Sequence, residues 1–193
     1  MANKLFDNLI EVEQKKRADD DGLVRFVAIF LLVFCLLFYA RTQVYMLIDV
    51  VGDSMCPTLD SGDLLVANRK TDCKRGDIIV FSVGGEKNLI KRVIAVAGDT
   101  VWSENGMVYV SYKDGDGERY YQLSEDYLLT QGITYVEKTT VNDGCVFVLG
   151  DNRAISNDSR NFGQVKISTI LGVVTNWSVA GKDTIFSRLY YLL

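Results

Sequence analysis

Residues Leu23 to Ala40 are apolar apart from Arg25, and from Phe26 to Ala40 there is no charge at all. Eighteen helical residues rise roughly 27 Å, about the thickness of a bilayer's hydrocarbon core. Arg25 lies near one end, where its long stem can carry the guanidinium to the headgroups, and Arg41 closes the other end. A cleaved leader would need small residues before its cut. This run instead ends Phe38-Tyr39-Ala40, with a bulky side chain where a small one is required. A helix buried in a soluble core is rarely apolar around its whole circumference. The run is therefore read as a retained anchor over residues 22–41, behind a tail of residues 1–21 and ahead of a domain of residues 42–193.

Orientation follows from lysine and arginine counts near the span. Lys15, Lys16, Arg17 and Arg25 stand on the N-terminal side and Arg41 alone on the other. The tail is expected in the cytoplasm, with everything after Arg41 across the plasma membrane.

Beyond the anchor the texture is β. Val44 to Val51, Leu64 to Ala67, Ile78 to Val83, Ile90 to Val96, Val108 to Tyr112, Val146 to Leu149 and Leu171 to Thr175 are short β-branched runs parted by Gly, Asp, Asn and Lys clusters. Such spacing predicts a mainly β, antiparallel barrel-like or sandwich-like domain. Residues 102–140 are more polar and rich in tyrosine, and are read as an inserted β excursion. Asp114, Asp116 and Glu118 within it lack the remaining positions of a calcium loop and are expected at a solvated hairpin tip.

Three features of composition narrow the chemistry. The 193 residues contain no histidine, which removes every triad that needs an imidazole and every histidine-bound metal. The net charge of −4 speaks against nucleic acid as a partner. The four cysteines (Cys35, Cys56, Cys73, Cys145) form no C-x-x-C pair, so neither a zinc site nor a disulfide framework is indicated. Cys73 with Cys145 is the pairing to consider if one forms, and four free thiols is the simpler reading.

Without histidine, a nucleophilic serine must pass its proton to another base, and a neutral lysine is the natural one. In water a lysine with a pKa of about 10.4 is protonated and useless as a base. Apolar burial disfavours the ammonium and lowers that value. Lys91 lies in the otherwise apolar strand Leu89-Ile90-Lys91-Arg92-Val93-Ile94. Alternation puts Leu89, Lys91 and Val93 on one face and Ile90, Arg92 and Ile94 on the other, and does not say which cation points inward. Taken alone, Lys91-Arg92 reads as a strand edge guarded by charge, and Ser54 reads as an ordinary turn serine. The loop Gly150-Asp151-Asn152-Arg153-Ala154-Ile155-Ser156-Asn157-Asp158-Ser159-Arg160 shifts that reading. Its density of charges and hydroxyls suits a fixed network behind an active site.

Together these segments resemble type I signal peptidase, the membrane-bound Ser-Lys protease of bacterial secretion. Ser54-Met55-Cys56-Pro57-Thr58-Leu59 matches its nucleophile motif, and Arg75-Gly76-Asp77-Ile78-Ile79-Val80-Phe81 resembles its next strand. Ile90-Lys91-Arg92-Val93-Ile94, with Gly98-Asp99, resembles its general-base motif. Gly150-Asp151-Asn152-Arg153, Ser156 and Asp158-Ser159-Arg160 resemble its final motif. The matches run in the family's order from Gly52 to Arg160.

The resemblance implies Ser54 as nucleophile, Lys91 as general base and Ser156 as the hydroxyl that orients the lysine amine. It implies oxyanion donors at the Ser54 amide and at Gly52, where glycine can offer only backbone. Met55, Ile90 and Leu89 would line pockets for small side chains, and Arg92, Asp151, Asp158 and Arg160 would form the structural network. No metal or organic cofactor is implied. The implied substrates are secretory preproteins, cut after a small residue with another small residue two positions earlier. The work would be done at the lipid bilayer and near the export translocon. Ala95 and Ala97 stand where the family usually has Gly and Pro, Leu89 where an aromatic residue is frequent, and Ala154 where an acid is frequent.

Two other readings remain open on sequence. A self-cleaving Ser-Lys repressor shares the core chemistry but needs a DNA-binding helix-turn-helix where this chain has an apolar span. A catalytically silent, anchored β-domain that binds exported peptides would carry the same elements without reactivity. A Ser-x-x-Lys enzyme is excluded, since no serine here has lysine three residues later.

Overall fold

The computed structural model describes residues 22–39, 43–69, 72–85, 87–115, 117–128 and 134–175. Two compact units meet between Gln43 and Val44. The N-terminal tail and residues 40–42, Arg41 among them, lie outside the described residues.

In the first unit, Gly22–Tyr39 forms one helix (α1), long and apolar enough to cross a membrane, with exposed side chains throughout. Phe30, Phe34 and Phe38 stack along one face with centroids 6.4 and 6.5 Å apart, as four-residue spacing on a helix requires.

The second unit is built from antiparallel strands. They are β1 Tyr45–Asp49, β2 Leu64–Asn68, β3 Ile78–Val83, β4 Lys87–Val96, β5 Thr100–Glu104, β6 Met107–Asp114, β7 Gly117–Gln122, β8 Thr139–Thr140, β9 Cys145–Leu149, β10 Val165–Lys166 and β11 Ile170–Val174. One sheet runs β1-β2-β11-β3-β4-β9-β10 and a second runs β7-β6-β5-β8. A short helix, α2, spans Ser159–Phe162. The fold is mainly antiparallel β with one N-terminal apolar helix.

Strand β4 organises the larger sheet because it changes partners along its length. Its first half pairs with β3, from Val83 opposite Lys87 to Ile78 opposite Arg92. Its second half pairs with β9, from Arg92 opposite Leu149 to Val96 opposite Val146, with an irregularity between Val93 and Ala95. Lys91-Arg92 therefore sits at the change of partner in an interior strand, not at a guarded edge. Leu89 and Val93 pack with Ile79, Phe81 and Val148, while Ile90 packs on the other side against Val50, Met55 and Val80. A third apolar cluster, with Val101, Val108 and Val110, joins the second sheet to Ile94 and Phe147.

The hairpin of β6 and β7 closes with Asp114 opposite Gly117 and Lys113 opposite Glu118, while Asp116 lies outside the described residues. Cys35, Cys73 and Cys145 are free thiols, so Cys73 and Cys145 do not pair.

Candidate active site

Ser54 is carried on a turn after β1 that the core fixes from below. Val50 donates its N–H to Asp63 O at 2.9 Å and Gly62 returns one to Val50 O at 2.8 Å, pinching residues 50–63 into a loop. Met55 and Leu59, each 1% exposed, drive into the apolar cluster under it. Burial of such side chains stabilises by roughly 1.5–3 kcal/mol each. Gly52 has φ +88°, with open space where a Cβ would stand, so the turn's backbone geometry favours glycine here.

Lys91 reaches this turn from the neighbouring strand. Its side chain is 2% exposed, and Nζ lies 2.7 Å from Ser54 Oγ and 2.8 Å from Ile90 O, to which it donates. Burial pushes the Lys91 amine below its ordinary pKa, and the negative charges of Asp158 and Asp151 pull partly the other way. Of the two adjacent cations, Lys91 is the buried one. Arg92, on the opposite face, grips Asp151 with two donors, Nε to Oδ1 at 2.8 Å and NH2 to Oδ2 at 2.6 Å. Asp151 also accepts from Thr58 Oγ1 at 2.5 Å, tying the loop of Ser54 to the end of β9.

The Gly150–Arg160 loop closes the site. Asp158 is fully buried. It takes the Gly150 N–H at 3.0 Å, caps α2 and binds Arg160 through both oxygens at 2.8 Å. Ser159 Oγ accepts the Val148 N–H at 2.9 Å, and Asn152 donates its N–H to Ser54 O at 3.0 Å. The network of Arg92, Asp151, Asp158 and Arg160 is thus two buried carboxylates, each held by its own guanidinium.

Two expected contacts differ. Ser156 Oγ, buried, makes no hydrogen bond and does not hold Lys91 in this structure; Ile90 O takes that place. The Gly52 amide, expected as a second oxyanion donor, gives its hydrogen to Ser61 Oγ at 3.2 Å. Gly150 is the residue that motif reading did not single out. A Cβ there would lie 2.1 Å from Ser156 Oγ and 2.6 Å from Ser54 O, so only glycine lets both segments close against the end of β9.

Beside Ser54 opens a cavity of about 350 Å³. Its walls come from β1 with the turn that follows, including Ile48, Val51 and Met55, and from Asn88 to Lys91 of β4. Met55, Ile90 and Leu89 all line it, as does Gly52. β1 ends the sheet, and the ladder between β4 and β9 begins only at Arg92. Two strand edges therefore border the cavity.

A serine hydroxyl 2.7 Å from a buried lysine amine, beside a cleft edged by β-strands, is an arrangement compatible with the Ser-Lys class of hydrolases. The family model described as signal peptidase, peptidase S26, matches residues 23–178. A signal peptidase I of Bacillus caldolyticus is 42% identical over 150 residues, 72% of this chain and 82% of that one. A signal peptidase IB of Staphylococcus aureus is 31% identical over 170 residues, 79% of this chain and 87% of that one. A crystal structure of a signal peptidase I from Enterococcus faecalis is 34% identical, covering 54% of this chain and 98% of that one, with a TM-score of 0.44. The chain belongs to the signal peptidase family, peptidase S26, and is a serine endopeptidase that removes signal peptides from preproteins.

Proposed function

We propose that Ser54 and Lys91 carry the reaction as nucleophile and general base. The observation behind this is the 2.7 Å contact between a lysine amine and a serine hydroxyl, both walled in beside an open cleft. With the amine neutral, the serine hydroxyl donates to Nζ. As Ser54 Oγ attacks the scissile carbonyl carbon, its proton moves to Lys91, and the new ammonium gives a hydrogen bond to Ile90 O. Burial disfavours the Lys91 ammonium, while Asp158 and Asp151 partly offset that cost, so the charge taken up during the reaction is partly balanced. Lys91 then protonates the leaving amine, and later draws a proton from the water that releases the acyl chain.

The oxyanion of the tetrahedral intermediate would meet the Ser54 amide, for which no acceptor is found among the described residues. The Gly52 amide would join it by leaving its 3.2 Å contact with Ser61. Donors aimed at the developing oxyanion commonly form the largest single electrostatic contribution to catalysis.

The substrate would enter as an extended segment between the edges of β1 and β4. In an extended chain, side chains two apart face the same wall. Residues at −1 and −3 from the cut would then face the wall of Met55, Leu89 and Ile90. Residue −2 would face outward.

Helix α1 would anchor the enzyme in the plasma membrane, with residues 1–21 cytoplasmic and the β-domain on the far side, near the translocon's exit. The test of the function is cleavage of a labelled preprotein by the full-length protein in detergent. Ser54→Ala should abolish it, and wild-type cleavage by that variant would refute the assignment. The test of topology is protease added to intact spheroplasts, which should degrade the β-domain and spare the tail.

A further inference from the structure

We infer that Glu125 and Tyr127, on the segment after β7, are positioning residues for the Ser54–Lys91 pair. The inference rests on the reading of that pair given above.

The connection runs through two arginines that flank Gly150-Asp151. Arg153 has a side chain only 6% exposed and donates Nε to Gly150 O at 3.0 Å. Its remaining donors go to the Glu125 carboxylate, to Thr134 Oγ1 at 3.1 Å and to Tyr127 Oη at 3.4 Å. Arg92 places its guanidinium 4.1 Å from the centroid of the Tyr127 ring while gripping Asp151 and donating to Gly76 O at 3.0 Å. A single side chain, Tyr127, thus touches both arginines, and Glu125 neutralises one of them.

What these arginines fix is the floor of the dyad. Gly150 is the residue against which Ser156 and the Ser54 carbonyl close, with no room for even a methyl group. The following residues carry the nucleophile's turn: Asp151 holds Thr58, and the Asn152 amide holds Ser54 O. Lys91 lies next to Arg92 on β4. A displacement of Gly150-Asp151 therefore moves the nucleophile's turn and the base's strand relative to each other.

Stability alone is a weak reason for such an arrangement. A buried ion pair roughly offsets its own desolvation cost and is often replaceable by apolar residues. Its geometric effect is another matter, since a misplacement of about 1 Å at reacting atoms costs on the order of 10²-fold in rate. The Tyr127 phenol is also raised well above its ordinary pKa, first by burial and then by the Glu125 charge, so it stays a neutral donor.

The experiment compares Glu125→Gln, Tyr127→Leu and Tyr127→Phe in the full-length protein in detergent. For each, kcat and KM on a labelled preprotein and the melting temperature are measured, with Ser54→Ala alongside. Glu125→Gln and Tyr127→Leu should each lower kcat by about 10- to 100-fold and leave KM within twofold. Tyr127→Phe keeps the ring over Arg92 and should stay within about threefold of wild type. A lower melting temperature with unchanged kcat for the folded protein would overturn the inference, as would a loss confined to KM. If Glu125→Gln does not fold, Tyr127→Leu decides alone. An active Ser54→Ala would instead refute the reading of the dyad, whatever the Glu125 and Tyr127 variants do.

Discussion

Gly150 and Ser156 are packed so closely that a methyl group on the glycine would fall 2.1 Å from the serine hydroxyl. That contact holds the last loop of the site against the end of β9, one residue beyond the ladder that begins at Arg92.

Gly150→Ala should therefore lower stability by about 1–3 kcal/mol, the usual cost of overpacking. Cleavage should fall further than stability does, because the same Cβ meets Ser54 O at 2.6 Å. Thermal melting and preprotein turnover of the purified variant check both.

Ser156→Ala should behave differently. Its hydroxyl is buried without a partner, and such groups cost about 1–3 kcal/mol. Removing it should leave the melting temperature equal or higher. If the hydroxyl turns to the Lys91 amine when substrate binds, turnover should fall about tenfold, well short of the loss from Lys91→Ala.

Arg92→Ala should destabilise by about 3–5 kcal/mol, because it strands the Asp151 carboxylate, whose side chain is fully buried, without its guanidinium. Arg92→Lys should recover only part of that loss, since one ammonium cannot reproduce the two-pronged grip. Chemical denaturation of the three proteins gives the comparison.

Burial depresses the Lys91 pKa in the folded protein, so the unfolded chain binds the extra proton. Stability must then rise with pH between the folded and the ordinary lysine pKa. Lys91→Met, free of that proton, should melt higher than wild type at neutral pH. The gap should close as pH climbs towards the ordinary lysine range of about 10.4. Melting curves across pH for both proteins test the sign.

Much of this architecture is legible in the sequence. The run Ile78 to Val83 is strand β3 as read, and the β-branched runs near residues 45, 64, 146 and 170 are strands shifted by a residue or two. Strands β5 and β7 fall in or at the start of the polar segment read as a β excursion, but no β-branched run marks either one. Thr100–Glu104 carries only one fully buried side chain, Val101, and Gly117–Gln122 is nearly all exposed and polar, so neither shows the apolar pattern of a half-buried strand. Lys91 and Arg92 could not be separated, because alternation gives two faces without saying which one meets Ser54. Tertiary pairing with β3 and β9 settles it. Gly150 stands within a recognisable motif, but its packing against Ser54 O is not visible there. Glu125 and Tyr127 left no signal, since they meet Arg153 across 28 and 26 residues of chain.

The central claim is that a neutral lysine activates Ser54, and Lys91→Arg tests it most directly. Guanidinium fills much of the same space but keeps its proton at any workable pH, so it cannot act as the base. Turnover of a labelled preprotein by the purified full-length protein, measured from neutral pH upward, should be as low for Lys91→Arg as for Lys91→Ala. Wild-type turnover should climb as the amine loses its proton. Loss of a general base commonly costs about 10²–10⁴-fold. Near wild-type cleavage by folded Lys91→Arg would contradict the account.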